Sequence, residues 1–139
     1  TLPEGSKVLE IGAGSGYQTA ILVHMGFQVH AVELVAELAE GARERLAELG
    51  LSPASLTIAD GRRGLAEHAP YDGVIAAAFI KRLPKSWVHQ LSPEGIIIAP
   101  IGRKGNQTLC EWRASVNGGL QKRSLEPVRF VPLVRGRWF

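Results

Sequence analysis

The chain has 139 residues, 45% of them hydrophobic, which predicts one domain over residues 1–139 with a sizeable core. No apolar run approaches the ~20 residues that span a bilayer, and the polar residues 1–7 do not resemble a signal peptide, so we expect a cytoplasmic protein without a membrane partner. The net charge is +3, and residues 101–139 carry eight Lys and Arg against two Asp and Glu; these cations are scattered and lack interleaved aromatic residues, so a nucleic-acid partner is not expected.

The first half of the chain alternates short strands with helices. The apolar run Lys7–Ile11 predicts a strand, three glycines follow it, and a helical pattern then continues to Gly26, which suits a helix C-terminus. Gln28–Glu33 alternates like a strand, and apolar residues recur at helical spacing up to Gly50. The predicted elements are strand 7–11, helix 17–25, strand 28–33, helix 34–49, strand 56–59 and a brief helix at 62–67.

The second half changes to antiparallel strands. Apolar runs at 74–78 and 96–99 are typical of central parallel strands, with a helix at 84–91 between them. Strands 108–113 and 120–125 flank Asn117-Gly118-Gly119, which predicts a hairpin. The single cysteine, Cys110, can form no internal disulfide, and we expect it in the core. The order of elements predicts a doubly wound α/β sheet, mostly parallel, with a C-terminal antiparallel hairpin.

The loop after the first strand reads GAGSGY at residues 12–17, and its spacing distinguishes between nucleotide ligands. A dinucleotide loop requires G-x-G-x-x-G, but Tyr17 stands at the third glycine position, and the phosphate-binding pattern G-x-x-x-x-G-K-[ST] has no match. Gly12, Gly14 and Gly16 still permit close approach by a ligand, and a helix N-terminus favours a carboxylate. S-adenosylmethionine carries such a carboxylate, and we predict it as the cofactor.

Three acids lie where this cofactor presents hydrogen-bonding groups. Glu33 ends the second strand and would accept from both ribose hydroxyls, and Asp60 follows the third strand and would accept from the adenine amine. Glu10 lies inside an apolar strand, so we expect the cofactor's ammonium or loop amides as its partners. Each feature alone also fits a surface acid or an ordinary turn. Their order along the chain favours a nucleoside-type ligand.

Other polar residues receive no role. The four histidines, at 24, 30, 68 and 89, lie at scattered places, which favours surface or core histidines over catalytic ones. No catalytic residue is assigned, no cluster of metal ligands is apparent, so no metal is predicted, and no pattern indicates an oligomeric state.

Four segments carry a resemblance to a known family. They are VLEIGAGSGYQ at 8–18, ADG at 59–61, GL and APYD within 64–72, and PVRFVPLV at 127–134. They resemble protein-L-isoaspartate O-methyltransferases, class I S-adenosylmethionine-dependent enzymes that repair damaged aspartyl and asparaginyl sites. The glycine motif alone indicates only a methyltransferase, and PVRFVPLV is the specific part. The similarity runs from residue 5 to about residue 134.

This resemblance implies a seven-stranded, Rossmann-like methyltransferase sheet. It places the cofactor contacts at Glu10, Gly12, Gly14, Gly16, Glu33, Asp60 and Gly61, and a substrate contact at Val131. It implies isoaspartyl-containing peptides or proteins as substrate, whose α-carboxylate becomes a methyl ester that collapses through a succinimide toward aspartate. A carboxylate with a pKa near ~4 is ionised at neutral pH, so the reaction needs positioning and desolvation but no general base.

The chain departs from the family pattern in two places. Family members carry an N-terminal segment with a serine-containing substrate motif, whereas residue 1 here stands just before the first strand, so we expect a truncated chain. After the fourth strand the family reads valine-threonine-alanine-alanine, but this chain reads Ala76-Ala77-Ala78-Phe79. Two alternatives therefore stay open: a divergent methyltransferase acting on RNA or a small molecule, and a non-catalytic S-adenosylmethionine-binding domain.

Overall fold

A computed structural model describes residues 2–133 of the chain. Seven strands form one sheet in the order β3-β2-β1-β4-β5-β6-β7. Strands β1 to β5 pair in parallel, and β6 and β7 are antiparallel additions at one edge, which confirms the predicted fold class. The elements are β1 Lys7–Ile11, α1 Tyr17–His24, β2 Gln28–Glu33, α2 Ala36–Glu48, β3 Ser55–Ile58, β4 Tyr71–Ala76, α3 Lys85–His89, β5 Leu91–Arg103, β6 Asn106–Ala114 and β7 Leu120–Val128.

Strand β1 is mainly apolar, with Val8, Leu9 and Ile11 buried, because it lies between two strands and is covered on both faces. Val8 pairs with Val29 of β2 and Gly73 of β4. Leu9 belongs to the core cluster that contains Trp87 of α3, whereas Val8 belongs to the cluster on the other face. The carboxyl ends of these parallel strands meet at one edge of the sheet, where ligands bind in open α/β folds.

The prediction of a brief helix at 62–67 is wrong. Two 3-10 turns, Gly61–Arg63 and Ala66–His68, occupy this region. Gly64 separates them with a φ of 65°, which interrupts any continuous helix. The Gln90 side chain satisfies the freed backbone groups: its Oε1 accepts from the Leu65 N–H and its Nε2 donates to the Arg63 carbonyl, each at 2.9 Å.

The C-terminal strands are longer than predicted. The strand expected at 96–99 extends over all 13 residues of β5, and β5 turns at residues 104–105 directly into β6, so antiparallel pairing begins one strand early. Helix α3 has only five residues, because Leu91 already pairs with Tyr71 of β4. Cys110 is 2% exposed and lies in the core, as expected. Within residues 2–133, no helix has the length and apolar character that crossing a bilayer requires.

Candidate functional site

The glycine loop folds over the carboxyl end of β2. The N–H groups of Gly12 and Ala13 both donate to the Val32 carbonyl, at 2.8 and 3.2 Å. Gly12 and Gly14 have φ angles of 86° and 54°, which L side chains rarely adopt, and nothing lies within 4 Å of a Cβ placed on either. Both glycines therefore leave open space beside the loop backbone, as close approach by a ligand requires.

Gly16 has a packing reason for its identity. It is the N-cap residue of α1, and its φ is 88°. A Cβ at this position would lie 3.1 Å from the Cβ of Ala42 on α2. Gly16 therefore allows the two helices to pack closely behind the loop.

Glu33 connects the end of β2 to the glycine loop. Its Oε1 accepts from the Gly14 N–H at 2.8 Å, and its Oε2 accepts from the Val35 N–H at 2.9 Å. The side chain is 7% exposed. A carboxylate has about four lone-pair sites, so these two bonds leave capacity for two further donors, as a ribose diol would provide.

Glu10 lies beneath the loop and is fully buried. Its Oε1 accepts from the Thr19 hydroxyl on α1, whereas its Oε2 has no hydrogen-bond partner within the described residues. Burial is the main cause that raises the pKa of Glu10 from 4.5 to about 7, and the nearby Glu33 charge raises it further. Of the two expected partners, loop amides do not donate to Glu10 within the described residues, where the Thr19 hydroxyl takes that place, and the cofactor's ammonium stays a prediction.

Asp60 and Gly61 shape the turn after β3. Asp60 Oδ1 accepts from the Arg62 N–H at 3.0 Å and so caps the 3-10 turn. The Gly61 carbonyl accepts from the Trp87 indole N–H at 2.8 Å. A Cβ at Gly61 would lie 2.5 Å from Ile11 Cγ2, so a side chain does not fit there. Close packing against β1 thus accounts for this glycine.

These elements enclose a cleft of about 420 Å³, within the usual range for small-molecule sites. Five of the predicted residues line it: Gly12, Gly14, Glu33, Gly61 and Val131. Three others lie behind or beside it: Glu10, Gly16 and Asp60. Within residues 2–133, no group of three or more His, Cys, Asp or Glu side chains is placed to hold a metal ion.

The sequence patterns missed the apolar wall of the cleft. Leu34, Val35 and Leu38 form it, and Leu38 is 46% exposed. Leu34 and Leu38 belong to the apolar pattern that predicts a helix over 34–49, but α2 begins only at residue 36 and both side chains line the cleft. The sequence did contain a signal for this wall: the segment directly follows Glu33 at the carboxyl end of β2, and in open α/β folds the ligand site lies outside the carboxyl ends of the strands.

The C-terminal segment, residues 129–133, returns from the sheet edge to the cleft. The Phe79 N–H donates to the Val131 carbonyl at 2.8 Å, and the Leu133 N–H donates to the Phe79 carbonyl at 3.1 Å. The Phe130 N–H donates to Gln107 Oε1 at 2.6 Å. These bonds place Val131, Pro132 and Leu133 on the cleft wall. Val134, the last residue of the PVRFVPLV motif, lies outside the described residues.

Family comparison agrees with this geometry. The sequence model of the family protein-L-isoaspartate(D-aspartate) O-methyltransferase (PCMT) matches residues 1–137. The chain belongs to this family. The resemblance carried by four short motifs is therefore confirmed over nearly the whole chain.

Curated PCMT relatives are considerably longer than this chain. The protein-L-isoaspartate O-methyltransferase of Methylorubrum extorquens is 44% identical over 135 residues, which are 97% of this chain and 59% of that protein. The one from Gloeobacter violaceus is 41% identical over 131 residues, which are 94% of this chain and 64% of that protein. The chain thus spans about three-fifths of the length of these relatives.

Solved structures extend the PCMT relation to the fold. A protein-L-isoaspartate O-methyltransferase superposes with a TM-score of 0.88 at 27% identity, covering 97% of this chain and 44% of that one. A relative from Plasmodium falciparum, in complex with S-adenosyl-L-homocysteine, superposes with a TM-score of 0.79 at 25% identity, covering 94% of this chain and 66% of that one.

One departure of this PCMT chain lies directly in the cleft. Ala77 lines the cleft where the family pattern places a threonine, and Ala78 lines it beside Ala77, so a methyl group replaces a hydroxyl there. Ala77 is held by its N–H, which donates to the Ile11 carbonyl of β1 at 3.0 Å. Ala77 and Ala78 therefore offer the cleft no side-chain hydrogen-bonding group.

Proposed function

We propose that the cleft binds S-adenosylmethionine. Support comes from three features: the free hydrogen-bonding capacity of Glu33, the open backbone at Gly12 and Gly14, and the apolar wall that starts at Leu34. The acid suits a ribose diol, the loop backbone suits the amino-acid end, and the apolar wall suits a purine.

The other predicted cofactor residues lie near the cleft, and each has a role in this proposal. Asp60 and Gly61 stand after β3, where the adenine amine would find an acceptor. Glu10 lies beneath the loop, and its carboxylate would attract the cofactor's ammonium from below. Gly16 keeps α1 and α2 close, and so holds the loop in place.

We further propose that the methyl acceptor is the carboxylate of an isoaspartyl residue in a peptide or protein. When bound, S-adenosylmethionine supplies a methyl group on a sulfonium centre. The acceptor carboxylate is already ionised at neutral pH, so the chain need not remove a proton. Its contribution is to orient the carboxylate and to exclude water, and Val131 and Leu133 cover one side of the cleft for that purpose.

One observation carries the substrate assignment. The hydrogen bonds between Phe79 and residues 131–133 bring the family-specific C-terminal segment to the wall of the cleft that contains the glycine loop. The segment that distinguishes this family from other methyltransferases thus lies where an acceptor would meet the cofactor.

The test compares two peptides that differ only in the linkage at one residue. The protein is incubated with methyl-labelled S-adenosylmethionine and either an isoaspartyl peptide or its normal aspartyl counterpart, and base-labile methyl ester is counted. We expect ester only on the isoaspartyl peptide. Equal labelling of both peptides, or labelling of neither, would contradict the proposed substrate.

A second function is favoured by Ala77 and Ala78, which line the cleft in the segment where the family pattern places a threonine hydroxyl. It is cofactor binding without methyl transfer. Calorimetric binding of S-adenosylhomocysteine together with no ester on either peptide would support it. In both cases we propose that the chain forms a single S-adenosylmethionine-binding domain. We also propose that it lies in the cytoplasm, because its one cysteine, Cys110, is buried and forms no internal disulfide, as suits a reducing compartment.

A further inference from the structure

A second cavity, of about 430 Å³, adjoins the cofactor cleft, and the two share Pro132 and Leu133 in their walls. Three cationic side chains line it: Arg62, Lys81 and Arg82. Within the described part of the chain, no acidic residue lines it. We call this cavity the basic pocket.

The fold holds the backbone of the basic pocket in place while its cationic side chains stay exposed. The Ile80 N–H donates to the Pro100 carbonyl and the Gly102 N–H donates to the Ile80 carbonyl, both at 3.0 Å, so the chain entering residues 81–82 is bound to β5. On the opposite wall, the Arg62 carbonyl accepts from the Ser86 hydroxyl at 2.7 Å. The pocket thus has an anchored backbone and solvent-exposed cationic side chains.

The cations of the basic pocket have fewer acidic partners than the arginines on β6 and β7 have. Arg113 and Arg123 on β6 and β7 both pair with Glu111, at 3.1 and 3.0 Å. By contrast, Lys81 and Arg82 take part in none of the salt bridges within residues 2–133. Like charges gathered around one opening create a positive potential that attracts an anion.

A peptide acid suits the pocket better than a nucleic acid does. Guanidinium and ammonium groups bind carboxylates through charge-assisted hydrogen bonds. Single-stranded nucleic acid would also require an exposed aromatic ring for base stacking, but Phe79, the aromatic residue of this lining, is only 8% exposed. Because Pro132 and Leu133 line both the cleft and the pocket, a peptide with its acceptor carboxylate in the cleft would have its neighbouring residues close to the pocket.

We propose that the basic pocket binds an acidic side chain next to the isoaspartyl residue, so that the protein prefers damaged sites within acidic segments. This inference rests on the proposed function, because it requires the acceptor carboxylate to lie in the adjoining cleft. The cations attract the flanking acid and are not themselves catalytic residues.

The experiment uses three isoaspartyl peptides of equal length. One carries Gln on both sides of the isoaspartyl residue, one carries Glu on its amino side, and one carries Glu on its carboxyl side. We expect one Glu peptide to have a KM about five-fold below that of the Gln peptide at low salt, and the difference to shrink as salt screens the charges.

Two variants assign the preference to the pocket. In the double variant Lys81→Gln/Arg82→Gln, the KM ratio between Glu and Gln peptides should fall to about one. The matched control is Lys85→Gln, an exposed lysine on α3 outside the pocket lining, which should keep the full ratio. Circular dichroism of each variant confirms that it is folded.

The outcomes separate this inference from the proposed function. Equal KM values for all three peptides, or a preference that survives in the double variant, overturn the pocket and leave the proposed function intact. Absence of ester on every peptide overturns the proposed function. In that case, fluorescent peptides are titrated into protein saturated with S-adenosylhomocysteine: tighter binding of a Glu peptide that the double variant loses supports the pocket, and equal binding overturns it.

Discussion

The carboxylate of Glu33 holds the backbone of Gly14: the Gly14 N–H donates to Glu33 Oε1 at 2.8 Å across the mouth of the cleft. The other oxygen accepts from the Val35 N–H at 2.9 Å. One side chain therefore fixes both the glycine loop and the start of the chain toward α2. Because both walls of the cleft are positioned before a ligand enters, little ordering remains to be done on binding.

We predict that Glu33→Gln weakens S-adenosylhomocysteine binding by about 1.5 kcal/mol, or roughly ten-fold. Glutamine has one acceptor oxygen, so its amide NH2 group would face the N–H of Gly14 or Val35 and leave that donor unsatisfied. It would also offer one acceptor fewer to a ribose diol. Isothermal titration calorimetry measures the change.

The matched control for this prediction is Glu37→Gln, an exposed acid in the first turn of α2 that is outside the cleft lining. It removes the same charge from a nearby part of the chain without touching the loop. We expect its affinity to stay within two-fold of the parent value, since exposed substitutions change little. Equal losses in both variants would show that net charge, and not the bridge to Gly14, governs binding.

We predict that Glu10 makes stability depend on pH. Its pKa is about 7 in the folded chain against the ordinary 4.5, so between these values the folded state binds more protons than the unfolded state. The free energy of unfolding should therefore fall as pH rises from about 4.5 to about 7, and the Glu10 contribution should level off above that pH. The full change is about 3 kcal/mol at most.

Thermal unfolding of the parent and of Glu10→Gln between pH 4.5 and pH 8 tests this prediction. The variant cannot lose a proton at this position, so it should gain stability relative to the parent as pH rises. Burial lowers the pKa of His30, and this effect is common to both proteins, so only the difference between the two pH profiles is assigned to Glu10. Parallel profiles would contradict the raised pKa.

Local patterns were enough to predict the parallel half of the sheet. Strands β1 and β2 begin and end where predicted, because β1 is a mainly apolar run followed by glycines and β2 is an alternating run that ends on an acid. The start of β5 could not be predicted in this way. Pro93 and Gly95 normally interrupt strands and Glu94 has a φ of 66°, yet the segment is held by pairing of Leu91 with Tyr71 of β4.

The cofactor side of the site was more predictable than its C-terminal wall. Glu33 and the glycines stand at strand ends that the sequence pattern itself marks. The position of Val131 depends on hydrogen bonds to Phe79, far away in the sequence, and no local periodicity reports such a contact. Only the family resemblance pointed to that segment. The Thr19 partner of Glu10 was missed for the same reason, since it comes from the next element.

We predict that Gly61→Ala lowers the free energy of unfolding by about 1 to 3 kcal/mol, the usual cost of overpacking a core. The added Cβ would lie 2.5 Å from Cγ2 of Ile11, the fully buried last residue of β1. Gly119→Ala is the control, because a Cβ there would meet only Ser115 Oγ at 3.8 Å. Urea denaturation measures both variants. Similar unfolding midpoints for the two would mean that β1 and the turn after β3 are not so closely packed.

The last prediction concerns Gln107, which holds the C-terminal segment from β6. Gln107 is 2% exposed; its Oε1 accepts from the Phe130 N–H at 2.6 Å and its Nε2 donates to the Arg103 carbonyl at 2.7 Å. Gln107→Leu keeps the approximate volume but leaves both backbone groups unpaired, which should cost about 1 to 3 kcal/mol of stability. Because Phe130 directly precedes Val131, the cleft wall should loosen as well.

Kinetics distinguish this positioning role from simple destabilisation. In Gln107→Leu, at a temperature where the variant is fully folded, we expect the KM for the isoaspartyl peptide to rise several-fold. The Kd for S-adenosylhomocysteine should change less, because Glu33 is held by the N–H groups of Gly14 and Val35 and not by the bond to Phe130. The control, Gln121→Leu, alters an exposed glutamine on β7 and should leave both values near those of the parent. If Gln107→Leu is folded and its KM is unchanged, the bond to Phe130 does not position the substrate wall.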